Sequence, residues 1–129
     1  MPIERKFSGA PAEPRFGYCR ALRIGECILV SGTAAYDAQG NVVQPGNMHA
    51  QSVRCLEIIR EAIEALGGQM AHVVRSRIYV TDIQRADEVG RAHAAAFGEN
   101  PPTATMVEVT ALIDPELVVE IEVEAWVGA

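Results

Sequence analysis

The chain has 129 residues, with 11 basic against 17 acidic side chains and a formal net charge of −6. That length suits one domain, residues 1–129, around one core, and the acidic balance argues against a nucleic-acid partner, which calls for a dense basic face. No apolar run approaches the roughly 20 residues of a membrane helix. The N-terminus also lacks the basic-then-apolar order of a secretory signal, so a cytoplasmic location is expected.

Met1 to Phe16 holds Pro2, Pro11 and Pro14 and shows no sustained period, so it reads as an extended arm with at most one edge strand. Ala21-Leu22-Arg23-Ile24 and Cys27-Ile28-Leu29-Val30 flank Gly25-Glu26, the spacing of a hairpin with a two-residue turn, and Ser31-Gly32 ends the second strand. Asp37 to Asn41 and Pro45-Gly46 are turn chemistry. Asn47 then caps a helix in which Val53, Leu56, Ile59, Ile63 and Leu66 form the buried stripe, and Gly67-Gly68 stops it. Val73 to Val80 reads as a strand. Asp82 is placed to cap a second helix, with Val89, His93 and Phe97 on one face, ending at Gly98. After Pro101-Pro102 come two more strands, Pro102 to Val109 and Leu117 to Ala125. In the last, Val119, Ile121, Val123 and Ala125 alternate with Glu120, Glu122 and Glu124, sending aliphatics to one sheet face and carboxylates to the other.

The expected architecture is α+β: a mixed sheet with both helices packed on one face and at least one right-handed crossover. The other face would be left bare. If it carried Val, Ile and Met side chains it would form an apolar patch that soluble chains hide by association.

Few residues suggest chemistry by pattern alone. Ser31 lacks the Gly-x-Ser-x-Gly elbow of a nucleophile. His49, His72 and His93 have no recurring metal spacing, and His93 on an apolar stripe reads as a core or interface histidine. Cys19, Cys27 and Cys55 form no Cys-x-x-Cys pair and read as reduced thiols. No metal and no cofactor is expected.

Several stretches in order resemble the YjgF/Rid family, the RidA-like reactive-intermediate imine deaminases. They are Gly17-Tyr18-Cys19-Arg20-Ala21, Val30-Ser31-Gly32-Thr33, Ala71 to Asp82, Phe97, and Pro102 to Val109 with Leu117 to Ala125. The resemblance implies a chorismate-mutase-like homotrimer whose sheets form a barrel, with ligand clefts between subunits for a small metabolite. It further implies that Glu120 positions the water that attacks an imine carbon, and that Tyr18, Arg20, Ser31, Thr33, Ala104 and Met106 line the cleft.

The family arginine, which forks onto a substrate carboxylate, falls at Ala104. The cleft asparagine falls at Gly90 and the neighbouring cysteine at Met106, so the chain resembles a branch lacking the arginine. Arg20 is the foremost replacement cation, with Arg15 and Arg91 behind it. A noncatalytic metabolite-binding or regulatory trimer is the alternative reading. An endoribonuclease-like role stands last, because the chain is acidic and has no basic stripe interleaved with aromatics.

Overall fold

The computed structural model describes residues 1–128. One six-stranded sheet carries the fold. Strands β1 (Ile3–Lys6), β2 (Ala21–Ile24), β3 (Cys27–Thr33), β4 (Val73–Val80), β5 (Thr103–Glu108) and β6 (Val119–Trp126) lie in the order β1-β2-β3-β6-β4-β5. The last strand in sequence is thus inserted at the centre, antiparallel to both β3 and β4. The one parallel neighbour pair, β4 with β5, is joined through helix α3 (Ala86–Phe97).

The hairpin forms as the spacing predicts. Ile24 pairs with Cys27 across Gly25-Glu26, and Gly25 takes the left-handed conformation (φ 59°) that such a turn requires. The second strand, however, does not end at Ser31-Gly32. It runs to Thr33 through an irregularity between Val30 and Thr33, because β6 continues to supply pairing partners on that side. The N-terminal arm also departs from expectation. It contributes the edge strand β1 and then a five-residue helix, α1 (Ala12–Phe16), whose Glu13 is buried and accepts from the backbone N–H and hydroxyl of Ser8.

Helix α2 (Met48–Ala65) starts where Asn47 accepts from Ala50 N at 3.0 Å. It ends in a Schellman arrangement, with Gly67 N bonded to Glu64 O, Gly68 N to Ile63 O, and Gly67 at φ 86°. Leu56, Ile59, Ile63 and Leu66 are buried as expected, but Val53 is 40% exposed. The stripe instead runs through Met48, Gln51, Ser52 and Cys55. Gln51 sits in the core because its amide is fully used: Nε2 donates to Glu116 O at 2.9 Å and Oε1 accepts from Val118 N at 2.9 Å, tying the helix to the segment before β6. Asp82 caps a short 3-10 turn, Ile83–Arg85, by accepting from Gln84 N, and that turn feeds α3.

Both α2 and α3 cover the face formed by Ile28, Val30, Ser76, Ile78, Val80, Val119, Ile121, Val123 and Ala125. The opposite face differs from the apolar patch foreseen. Its centre is a ladder in which Arg77 pairs with Glu124 at 3.1 Å and Glu122 at 3.6 Å, Arg75 with Glu124 at 3.6 Å, and the Tyr79 hydroxyl donates to Glu122. Leu29, Trp126 and Val107 are exposed at its margins. The reason is the two-residue period: the aliphatics of β4 and β6 are already spent on the helix side, leaving charge for the other.

Ile59 is fully buried beneath α2, whereas the side chain of Glu57 is 57% exposed and, among the described residues, pairs only with Arg54, at 3.8 Å. Ile59→Ala should cost about 2–5 kcal/mol in chemical denaturation, and Glu57→Ala under about 0.5 kcal/mol. Comparable losses at both positions would mean that the helix is rotated from the orientation described.

Candidate functional site

The irregular end of β3 and the segment leading into β2 meet around Glu120. Gly17, left-handed at φ 78°, closes α1 by donating to Glu13 O and turns the chain into Tyr18-Cys19-Arg20. Arg20 is pinned through its backbone, donating to Lys6 O and accepting from Ser31 N, and its Nη2 donates to Gly32 O at 2.6 Å. The guanidinium carbon stands 5.9 Å from the ring centre of Tyr18. Nε of Arg20 is the one buried side-chain nitrogen or oxygen among the described residues that has no hydrogen-bond partner.

Ser31 and Thr33 act as struts. The Ser31 hydroxyl donates to Cys19 O at 2.8 Å, which commits its proton to the backbone and leaves no nucleophile. Thr33 is wholly buried in the single chain and donates to Ser31 O at 2.8 Å, so it braces the turn from behind. Beneath it, the Cys55 thiol donates to Thr33 O at 3.2 Å. Burial, and then the Glu120 charge, push that thiol up to about 12, so it stays protonated and unreactive.

Glu120 projects from β6 to the open sheet face, opposite the direction of Ile121, and takes no part in the Arg–Glu ladder beside it. A Cβ on Gly32 would overlap its Oε2, so glycine is what lets the carboxylate lie against the β3 backbone. Burial raises the Glu120 pKa; the Arg20 charge opposes that rise and Glu122 adds to it. Tyr36 belongs to the same surroundings. Its hydroxyl is held above its ordinary value by burial first, then by Asp114, Glu120 and Tyr18. Neither Tyr36 nor Asp114 was singled out by sequence, and no local pattern marks them, since Tyr36 comes near Glu120, and Asp114 near Tyr36, only from loops. The result is a half-desolvated carboxylate with the Arg20 cation and the Tyr36 phenol near it, suited to taking a proton from water.

Ala104 and Met106 are elsewhere. Ala104 pairs with Ser76 and Met106 with Ile78, both core residues, so these two face the helix side of edge strand β5, while Glu120 pairs with Tyr79 on the opposite side. Gly90 and His93 of α3 share the Ala104 side, His93 bonding Ser76 at 2.8 Å. A single chain therefore joins Tyr18, Arg20, Ser31 and Glu120 but separates them from Ala104 and Met106 by the thickness of the sheet. Two surface hollows, about 240 Å³ beside Met70 and Phe97 and about 280 Å³ beside Phe7 and Pro11, adjoin neither group. Among the described residues no three His, Cys, Asp or Glu side chains gather as metal ligands, and no helix is long and apolar enough to cross a membrane.

Comparisons with known proteins agree with this architecture. The profile of the family described as Endoribonuclease L-PSP matches residues 9–127. An uncharacterized protein of Streptomyces coelicolor is 34% identical over 98% of this chain and 94% of its own length. A RutC family protein of Saccharolobus solfataricus is 29% identical over 92% of this chain and 94% of its own. A crystal structure from Mycobacterium tuberculosis, of a member of the YjgF/YER057c/UK114 family, superposes with a TM-score of 0.89 at 44% identity, covering 98% of this chain and 100% of that one.

Because the obstacle at Gly32 is the far end of a flexible side chain, Gly32→Ala should leave the denaturation midpoint nearly unchanged while pushing the Glu120 carboxylate toward water. The Glu120 pKa, followed by carbon NMR of the carboxyl, should then fall toward the ordinary glutamate value. An unaltered titration would show that the close approach does not set its environment.

Proposed function

The chain belongs to the Endoribonuclease L-PSP family, the YjgF/YER057c/UK114 group, and on that premise we propose that it hydrolyses imines or enamines of a small metabolite, with Glu120 as the proton acceptor. The observation that carries this reading is the half-desolvated Glu120 carboxylate, its pKa raised by burial, lying against Gly32 and beside Arg20. Water attacks the imine carbon as Glu120 takes one of its protons, and the proton passes to the imine nitrogen. The resulting carbinolamine collapses with C–N cleavage to a carbonyl compound and ammonia. A solvated glutamate would be a weak base for this step; removal from water brings its pKa nearer neutrality.

The site is completed by another copy of the chain. Glu120 with Tyr18 and Arg20, and Ala104 with Met106, lie on opposite sides of one sheet, so only a neighbouring copy brings the two sets together, in the clefts of a homotrimer. Sedimentation at micromolar concentration should return about three times the chain mass, and a stable monomer would sink the shared cleft. With Ala104 in place of a guanidinium, substrates bearing a carboxylate beside the imine lose their anchor. The same deficit favours the noncatalytic metabolite-binding reading as the runner-up. The nuclease reading carried in the family's description finds little support here, since Arg75, Arg77 and Arg85 are all engaged by glutamates and the chain's net charge is −6.

The test uses an amino-acid oxidase to generate 2-imino acids and follows keto-acid release. Wild type should be slow, Ala104→Arg faster by about tenfold or more, as a charge-assisted bond allows, and Glu120→Gln inactive. Rapid turnover by wild type would refute the argument from the missing arginine.

Stability provides an independent check. A folded pKa above the unfolded one means that Glu120 contributes stability fully present below the ordinary glutamate pKa of about 4.3 and lost as pH rises through its folded value. Glu120→Gln does not titrate. Its melting temperature relative to wild type should therefore rise as pH is raised from about 4 to 7, and a falling difference would mean that the carboxylate is stabilised as an anion.

A further inference from the structure

On the helix side of β5 a second polar feature stands out. Ser76 is wholly buried, and its hydroxyl lies 2.8 Å from Nε2 of His93. A buried hydroxyl proton needs an acceptor, and the imidazole nitrogen is the one the structure gives it. On this ground we assign Ser76 as the donor, which leaves Nε2 unprotonated and places the ring proton on Nδ1. Phe97 fixes the plane of the ring, its centre 4.7 Å from that of His93 and tilted by 57°. Burial lowers the His93 pKa, which favours the neutral ring.

Nδ1 makes no bond within the described residues, nor is it among the buried unpartnered nitrogens, so it is open to solvent. Its surroundings are small. Gly90, three residues earlier and on the same helix face, has open space where a Cβ would lie, and Ala104, the strand partner of Ser76, is exposed. Met106 is half-buried against the core beside them. Beside the ring, Gly90 and Ala104 leave surface that no larger side chain fills, where one oriented N–H can act as a single polar selector.

We propose that His93, oriented by Ser76, is the specificity-determining donor of the Ala104–Met106 half of the cleft, and that it selects a ligand with an uncharged carbonyl or amide oxygen over one with a carboxylate. This rests on the reading that Ala104 and Met106 line the ligand cleft. A neutral N–H bonds a carbonyl oxygen adequately, but it does not offset the desolvation of a carboxylate as a bidentate guanidinium does.

The experiment titrates the protein, in the form it adopts in solution, with pyruvamide and with pyruvate, which differ chiefly in charge. Binding and the His93 imidazole NMR signals are followed, with His49 and His72 as internal references. Pyruvamide should shift the His93 signals alone and bind about tenfold tighter than pyruvate. His93→Ala should lose about tenfold of that affinity, and His93→Gln, which keeps a donor, should recover most of it. Ser76→Ala should fold and bind pyruvamide with an altered Nδ1 signal, since the tautomer is no longer imposed. Preference for pyruvate, an unmoved His93 signal, equal affinity of His93→Ala, or binding of neither probe each overturns the proposal. Imine hydrolysis that persists with no His93 response sinks only this inference. A His93 response with no hydrolysis by wild type sinks only the catalytic reading.

Discussion

The position of β6 at the centre of the sheet is the constraint from which the other features follow. A strand flanked on both edges must satisfy every backbone group, and its two-residue period then commits each side chain to one of two faces. Val119, Ile121, Val123 and Ala125 supply the floor on which α2 and α3 pack. Glu120, Glu122 and Glu124 are thereby compelled onto the other face, where two of them find Arg77, Arg75 and Tyr79. A shift of one residue in register would bury three carboxylates under the helices, which is why this strand tolerates little slippage.

Glu120 is the member of that row left outside the ladder, and the reason is local. The irregularity between Val30 and Thr33 brings Gly32 beside it, and the absence of a side chain there lets the carboxylate settle on backbone. Around this point Arg20, Ser31, Thr33 and Cys55 form a set of mutually supporting bonds: guanidinium to Gly32 O, hydroxyl to Cys19 O, hydroxyl to Ser31 O and thiol to Thr33 O. Three of these four polar side chains are consumed in holding the backbone, and the fourth, Arg20, still keeps Nε unpartnered.

The thickness of the sheet divides the remaining candidates. Ala104 and Met106 share a side with Ser76 and His93, Glu120 shares the other with Tyr18 and Arg20, and no side-chain rotation within one chain joins them. The exposed margins of the charged face, Leu29, Trp126 and Val107, are apolar enough to bury against a second copy, while the ladder between them would require matched charges from it.

Much of this was legible in the chain itself, wherever a single element carries its own period or turn chemistry. The hairpin at Gly25-Glu26, the cap at Asn47, the stop at Gly67-Gly68 and the alternation from Val119 to Ala125 are local and appear where the residues place them. Features that depend on a partner distant in sequence were not legible. Gln51 looks like a surface residue until Glu116 and Val118 complete its hydrogen bonds, and that burial rotates Val53 outward. Thr33 is turned inward by the continued pairing with Ile121, a partner that no local pattern announces. Tyr36 and Asp114 carry no pattern and matter only because loops bring Tyr36 near Glu120 and Asp114 near Tyr36. The sequence by itself determined which residues could share a face, because periodicity is a property of the backbone. Which faces oppose one another, and hence that Glu120 and Ala104 are held apart, was decided by the tertiary placement of β6 between β3 and β4, since strand order depends on contacts between distant residues that no local pattern encodes.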